Sequence, residues 1–86
     1  MTITVLSPER ELYQGAVTSV TLPGVEGEFQ ILRNHAPLVS ALREGSVVIR
    51  RADDATVTMK IRRGFVEVLH NEVSLLVQGP SEVAGV

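Results

Sequence analysis

Thr56-Val57-Thr58-Met59-Lys60-Ile61-Arg62 places apolar and polar residues in strict alternation. Val57, Met59 and Ile61 fall on one side, and Thr58, Lys60 and Arg62 on the other. A period of two belongs to a β-strand with one face on a core and one in water. Upstream, Val47 and Ile49 oppose Val48 and Arg50, and the polar Ala52-Asp53-Asp54-Ala55 predicts a turn joining the two strands. Downstream, Gly64 breaks the pattern, and Phe65 to Leu69 with Val73 to Val77 predict a second hairpin around His70-Asn71-Glu72.

The rest of the chain reads the same way. Ile3 and Val5 alternate with Thr2 and Thr4 until Ser7-Pro8, where proline cannot donate to a ladder. Leu12-Tyr13 is a short piece ending at Gly15, and Val17 to Leu22 is a further strand. Pro23-Gly24 predicts the next turn, since proline presets φ and glycine accepts positive φ. Phe29 and Ile31 alternate with Glu28 and Gln30, and the apolar run Leu38 to Leu42 is closed by Glu44-Gly45. No segment sustains a helical period. Strands at intervals of about eight to ten residues, with turn signals between them, predict an all-β fold. The expected architecture is a flattened β sandwich or barrel of short, mostly antiparallel strands. It should be one domain over residues 1–80, with residues 81–86 a short tail that frays.

Composition narrows the function. Eighty-six residues carry 8 basic and 10 acidic side chains, a net charge of −2, and no cysteine. Disulfides and thiolate metal sites are excluded. No basic excess exists to hold a phosphate backbone, and 3% aromatic residues offer no stacking platform, so nucleic acid is not an expected partner. No apolar run approaches the ~20 residues of a membrane span. A mean hydropathy of +0.20 is high for so small a chain. Surface outweighs volume at this size, so some apolar side chains must lie outside, and a contiguous group of them would mark an interface.

Catalytic constellations are weak. Ser40, His35 and the Asp53-Asp54 pair supply the residue types of a nucleophilic triad, but a triad is defined by geometry. Glu26 and Glu28 flank Gly27 and read as solvated carboxylates beside a turn, or as partner contacts. No glycine-rich phosphate cradle is present. The expectation is a non-catalytic chain without cofactor or metal. His35-Ala36-Pro37 reads as a stiff loop tip, because proline restricts the residue before it. Such a tip loses little entropy on docking. Lys60, Arg62 and Arg63, with Arg50 and Arg51, form a basic patch if the two strands pair, a contact for an acidic partner surface or phospholipid head groups; the other reading is an ordinary solvated face.

Three segments in order and spacing carry a resemblance: Leu6-Ser7-Pro8-Glu9, then Gly27-Glu28-Phe29 with His35-Ala36-Pro37-Leu38, then Gly64-Phe65-Val66-Glu67-Val68. Together they resemble the N-terminal β domain of the epsilon subunit of F-type rotary ATP synthases, called delta in mitochondria. The resemblance covers nearly the whole chain. It implies a flattened sandwich at the foot of the central stalk, a rotor subunit linking gamma to the c ring and coupling proton flow to ATP synthesis while catalysing nothing itself. It implies gamma and the c-ring loops as partners. It also implies a peripheral position on the cytoplasmic face of the bacterial inner membrane, reached only through the complex. Carried over by position, Glu26, Glu28, Arg33, Asn34 and His35 are expected to meet the ring or stalk foot, and Leu38, Val39, Ala41 and Leu42 to meet gamma.

The sequence departs from the family at Arg33-Asn34, where a Pro-Gly pair is common; Asn tolerates the left-handed conformation that glycine would supply. Arg63 stands where a glycine often precedes Gly64. No segment resembling the family's C-terminal helical hairpin follows, so the restraint of ATP hydrolysis and the ATP binding it serves in some bacteria are not carried over. From the residues alone, a free-standing adaptor whose sheet binds another protein stays open; it would not co-purify with gamma.

Overall fold

A computed structural model of the chain describes residues 1–79 and 83–84. These form nine strands and no helix: β1 (Thr2–Leu6), β2 (Glu11–Gly24), β3 (Gly27–Leu32), β4 (Leu38–Leu42), β5 (Gly45–Arg51), β6 (Thr56–Ile61), β7 (Arg63–Leu69), β8 (Glu72–Gln78) and β9 (Val83–Ala84). The strands follow the order β1-β8-β7-β4-β2-β5-β6-β9, with β3 beside β2. Because β2 also pairs with β1, the path β1-β8-β7-β4-β2 returns to its start and the sheet closes on itself. The result is the expected flattened β architecture, 28 × 27 × 21 Å. Every strand pair is antiparallel except β1 with β8.

β2 makes the closure possible. Its first half, Glu11 to Ala16, pairs with β1, whereas Val17 to Thr21 pairs with β5 and Ser19 to Gly24 with β3. The register slips between Val17 and Ser19, and the Thr18 hydroxyl donates to the Arg50 carbonyl there at 3.4 Å. A bulge bends a strand and lets it pass from one layer to the other. Gly15, expected to end a short piece, lies inside this strand opposite Ile3. Pro23-Gly24 is likewise strand: Pro23 faces Glu28 and Gly24 faces Gly27, so the turn falls at Val25-Glu26 instead. Proline is tolerated because it needs only its acceptor here, and the Arg43 N–H donates to the Pro23 carbonyl at 2.9 Å. Gly24 bridges to Leu42 and closes the ring. A Cβ there would lie 2.7 Å from the Gly27 carbonyl oxygen and 2.9 Å from the Phe29 ring. Only glycine allows that approach.

The core fills the closed sheet. Ile3, Val5, Val20, Leu22, Ile31, Val47, Ile49, Val57, Met59, Ile61, Val66 and Leu75 are fully buried, and no polar or charged side chain joins them among the described residues. Most are β-branched, stiff at χ1 and suited to a pleated surface.

Both predicted hairpins form. The 51–55 turn is held by the Asp54 N–H donating to the Arg51 carbonyl at 3.0 Å, with Asp54 at φ 68°. The β7–β8 turn has His70 at φ 49° and Asn71 at φ 63°, the double positive φ of a type I′ hairpin. The basic patch does not form. In the β5–β6 ladder Arg50 opposes Thr56 and Lys60 opposes Ser46, so the cations lie toward opposite ends. Arg51 is occupied by Asp53 at 2.9 Å. Of the tail at 81–86, Val83 and Ala84 pair with Met59 and Thr58, and the remainder lies outside the described residues.

Ile61 is 1% exposed and Lys60 points to water from the same strand. Ile61→Ala is expected to cost ~2–5 kcal/mol in denaturant unfolding and Lys60→Ala under ~0.5 kcal/mol. Equal losses would mean the strand has no single buried face, and a larger loss at Lys60 that its faces lie the other way round.

Candidate partner-docking surfaces

The outer face of β4, β7, β8 and β1 carries apolar side chains where an ordinary solvent face carries polar ones. The register sets Ala41 opposite Phe65, Phe65 opposite Leu76, and Leu76 opposite Leu6. These four form a row across four strands, since directly opposed residues lie ~4.5–5.5 Å apart. Phe65 is 58% exposed, Leu76 51% and Leu6 42%, and Val39, two residues from Ala41 on β4, is 70% exposed. The neighbouring row begins at Val39 and is otherwise polar: Val39 opposes Glu67, Glu67 opposes Ser74, and Ser74 opposes Thr4. At one end of the face an apolar groove of about 350 Å³ opens between Pro8, Ala41, Arg63, Phe65, Leu76 and Gln78.

The second surface is a pair of loops at the start of β4. The His35 N–H donates to the Leu32 carbonyl at 3.1 Å, closing a turn whose third residue, Asn34, sits at φ 66°. That is the position where a type II turn takes Gly or Asn, and Asn supplies it here. The His35 Nδ1–H donates to the Ala36 carbonyl at 2.7 Å. Arg33, Asn34, Ala36 and Pro37 are exposed and His35 is half-buried. The tip is bound to the β7–β8 turn. The Asn34 N–H donates to Asn71 Oδ1 at 2.6 Å, and Asn71 Nδ2 donates to Asn34 Oδ1 at 3.0 Å.

No catalytic triad assembles from the residue types noted above. The Ser40 hydroxyl donates to the Ala41 carbonyl at 3.3 Å, the His35 ring is engaged by Ala36, and Asp53 belongs to the 51–55 turn. No group of three or more metal-ligating side chains occurs among the described residues.

The sequence profile described as "ATP synthase, Delta/Epsilon chain, beta-sandwich domain" matches residues 1–80. The chain belongs to the ATP synthase delta/epsilon family. An ATP synthase epsilon chain of Leptospira interrogans is 46% identical over 74 residues, 86% of this chain and 58% of the relative. One of Chlorobium limicola is 39% identical over 77 residues, 90% of this chain and 88% of the relative. The chain thus spans under two thirds of the Leptospira relative and most of the Chlorobium one. A chain in the Euglena gracilis mitochondrial ATP synthase OSCP/F1/c-ring structure shares the fold with a TM-score of 0.83 at 23% identity, covering 95% of this chain and 51% of that one. A chain in the central stalk/c-ring structure of Tetrahymena thermophila mitochondrial ATP synthase does so with 0.78 at 18% identity, covering 92% and 63%.

Within this delta/epsilon domain the expected contact residues separate. Of the set expected to face gamma, Val39 and Ala41 point outward, Leu38 is half-buried against the core and Leu42 is buried. A strand must alternate, so a run of five cannot present all its residues to one partner. Of the set expected at the ring or stalk foot, Arg33, Asn34 and His35 precede Leu38. Glu26 and Glu28 lie beside Gly24, which is bridged to Leu42 at the far end of β4. The two groups are ~13 Å apart along that five-residue strand. Sequence reading missed Leu6, Phe65 and Leu76. Leu75-Leu76-Val77 held the clue, because three consecutive apolar residues in a strand force the middle one onto the other face.

Leu42 is 3% exposed against 70% for Val39. Leu42→Ala should therefore lower unfolding free energy by ~2–4 kcal/mol and Val39→Ala by less than ~0.5 kcal/mol, as read by urea titration.

Proposed function

We propose that this chain is a central-stalk rotor subunit of a proton-translocating F-type ATP synthase. It links gamma to the c ring, couples proton flow to ATP synthesis, and performs no chemistry of its own. The observation that carries the reading is the apolar row Leu6–Leu76–Phe65–Ala41 with Val39 beside it, on a domain of the delta/epsilon family. An apolar patch with a polar border is how a subunit surface buried in an assembly looks when the subunit stands alone. The row is the gamma-facing surface, with Val39 and Ala41 as its members from β4. Leu38 and Leu42 support it from beneath. Arg33, Asn34 and His35 on one side, and Glu26 and Glu28 on the other, are polar contacts for the c-ring loops and the stalk foot. The occurrence of this fold in a structure described as a central stalk and c ring supports the same assignment. In that complex the chain lies peripherally on the cytoplasmic face of a bacterial inner membrane.

Torque passes through such a subunit only if its contacts are stiff in shear. A closed sheet is stiff because its ladder bonds would all have to lengthen together. The apolar row supplies area for a grip, and polar loops supply register, since charged and hydrogen-bonding groups set orientation more than raw affinity.

Purified gamma titrated with the chain tests this reading. The wild type is expected to bind, and Phe65→Asp to weaken binding at least tenfold with its unfolding midpoint nearly unchanged, because burying a carboxylate in an apolar contact costs more than the lost ring. His35→Ala with Pro37→Ala should weaken association with a gamma–c-ring stalk while leaving the fold intact. Binding to gamma that ignores Phe65→Asp would remove the row from the interface.

A further inference from the structure

The Asn34–Asn71 pair joins two loops 37 positions apart in sequence. Its two side-chain bonds are exposed, and neither residue contributes to the core. Such bonds add little to global stability, because water replaces them readily. Their geometry is nonetheless costly to arrange. Both asparagines hold positive φ, 66° and 63°, and His70 holds 49°. Asn71 is also a junction: its carbonyl accepts the Thr2 N–H at 3.0 Å, while its side chain serves Asn34 in both directions. The start of β1, the β7–β8 turn and the 33–37 loop are therefore tied at one residue.

The consequence falls on the loop. Its near end is closed by the Leu32–His35 turn bond, and its far end is stiffened by Pro37. Between them the Asn71 amide holds Asn34 from the side. Three restraints leave the tip one position relative to the sheet. Ordering a loop before it binds removes an entropy loss that binding would otherwise carry.

We propose that Asn71 is a positioning residue, and that the His70–Asn71 turn and the Arg33–Pro37 loop meet the partner as one composite end. This rests on reading Arg33, Asn34 and His35 as partner contacts. The composite end presents the Arg33 guanidinium, which has no ion-pair partner among the described residues, together with the His35 and His70 rings. Glu72, at the start of β8, is the carboxylate beside the turn. The Arg33 guanidinium carries five N–H donors and no ion-pair partner among the described residues, so the surface fits polar protein loops that present carboxylates and free carbonyls. His70, which the family signature does not include, becomes a contact residue.

Asn71→Gly isolates the effect, because glycine keeps the positive φ while removing the amide. Asn34→Gly is the reciprocal variant, losing the Oδ1 acceptor but keeping the backbone donor. The Asn34 amide is expected to exchange with solvent roughly 3- to 10-fold faster in Asn71→Gly, by NMR hydrogen exchange, with the thermal midpoint within a few degrees of wild type. Affinity for a purified gamma–c-ring stalk should fall by a similar factor in either variant, and in His70→Ala. Asn71→Asp keeps the acceptor for the Asn34 N–H and should restore slow exchange at that amide, which a purely structural turn defect would not produce. Unchanged exchange at Asn34 would overturn the clamp. Faster exchange with unchanged affinity, while His35→Ala still weakens binding, would overturn the positioning role and leave the loop contacts standing. If His35→Ala and Arg33→Ala also leave affinity unchanged, the loop is not a docking element, and both readings fall.

Discussion

β2 has to belong to both halves of the sheet at once. Fourteen residues long, it pairs with β1, β3, β4 and β5, and no other strand has as many partners. The bend near Thr18 turns it from one layer to the other, and the bridge from Gly24 to Leu42 closes the circuit. An open sheet of these strands would expose its inner row of valines and isoleucines and leave its edges unpaired. Closed, the same strands enclose an aliphatic interior with almost no aromatic filling. The steric condition is severe at one point, Gly24, where the Gly27 carbonyl and the Phe29 ring occupy the space a side chain would need.

Closure also explains why the outside is not uniformly polar. Once β1, β8, β7 and β4 lie side by side with their inner residues committed to the core, register determines which outer residues become neighbours. Leu6, Ala41 and the Phe65–Leu76 pair of one hairpin come from three separate parts of the chain and meet only because three ladders align. A domain that stood alone would gain solubility by placing a threonine or lysine in that row. Retention of apolar side chains there accords with a surface meant to be covered by another chain.

Local chemistry made much of the fold legible. Alternation over 56–62 gave β6 with the correct inner face, because a period of two is a property of consecutive residues, and the turn residues at 70–72 placed the β7–β8 hairpin. Asn34 could be read as a substitute for glycine, and its φ of 66° bears that out. What escaped depended on partners far along the chain. Pro23-Gly24 carries the chemistry of a turn, yet the hairpin with β3 runs on through it to Gly24↔Gly27, and the bridge to Leu42 in β4 holds Gly24 in the sheet, so the turn moves to Val25-Glu26. The basic patch failed because the β5–β6 register, fixed by the 51–55 turn, sets Arg50 and Lys60 toward opposite ends of the ladder. The outer apolar row was invisible for the same reason. Each of its members looks like an ordinary apolar strand residue until the strands are laid in order.

The parallel pairing of β1 with β8 has a consequence for the birth of the protein. Thr2 pairs with Glu72 and Leu6 with Leu76, so each β1 residue waits for a partner seventy positions later. During synthesis β1 can form only its hairpin with β2, and an isolated two-stranded hairpin is marginal in water. The ribosome must deliver β8 before β1 is held on both sides. Such distant contacts are slow to form, because a long loop has to close before any pairing energy returns. The β1–β8 ladder is therefore expected to complete late, with β8 docking onto a β1 already paired to β2.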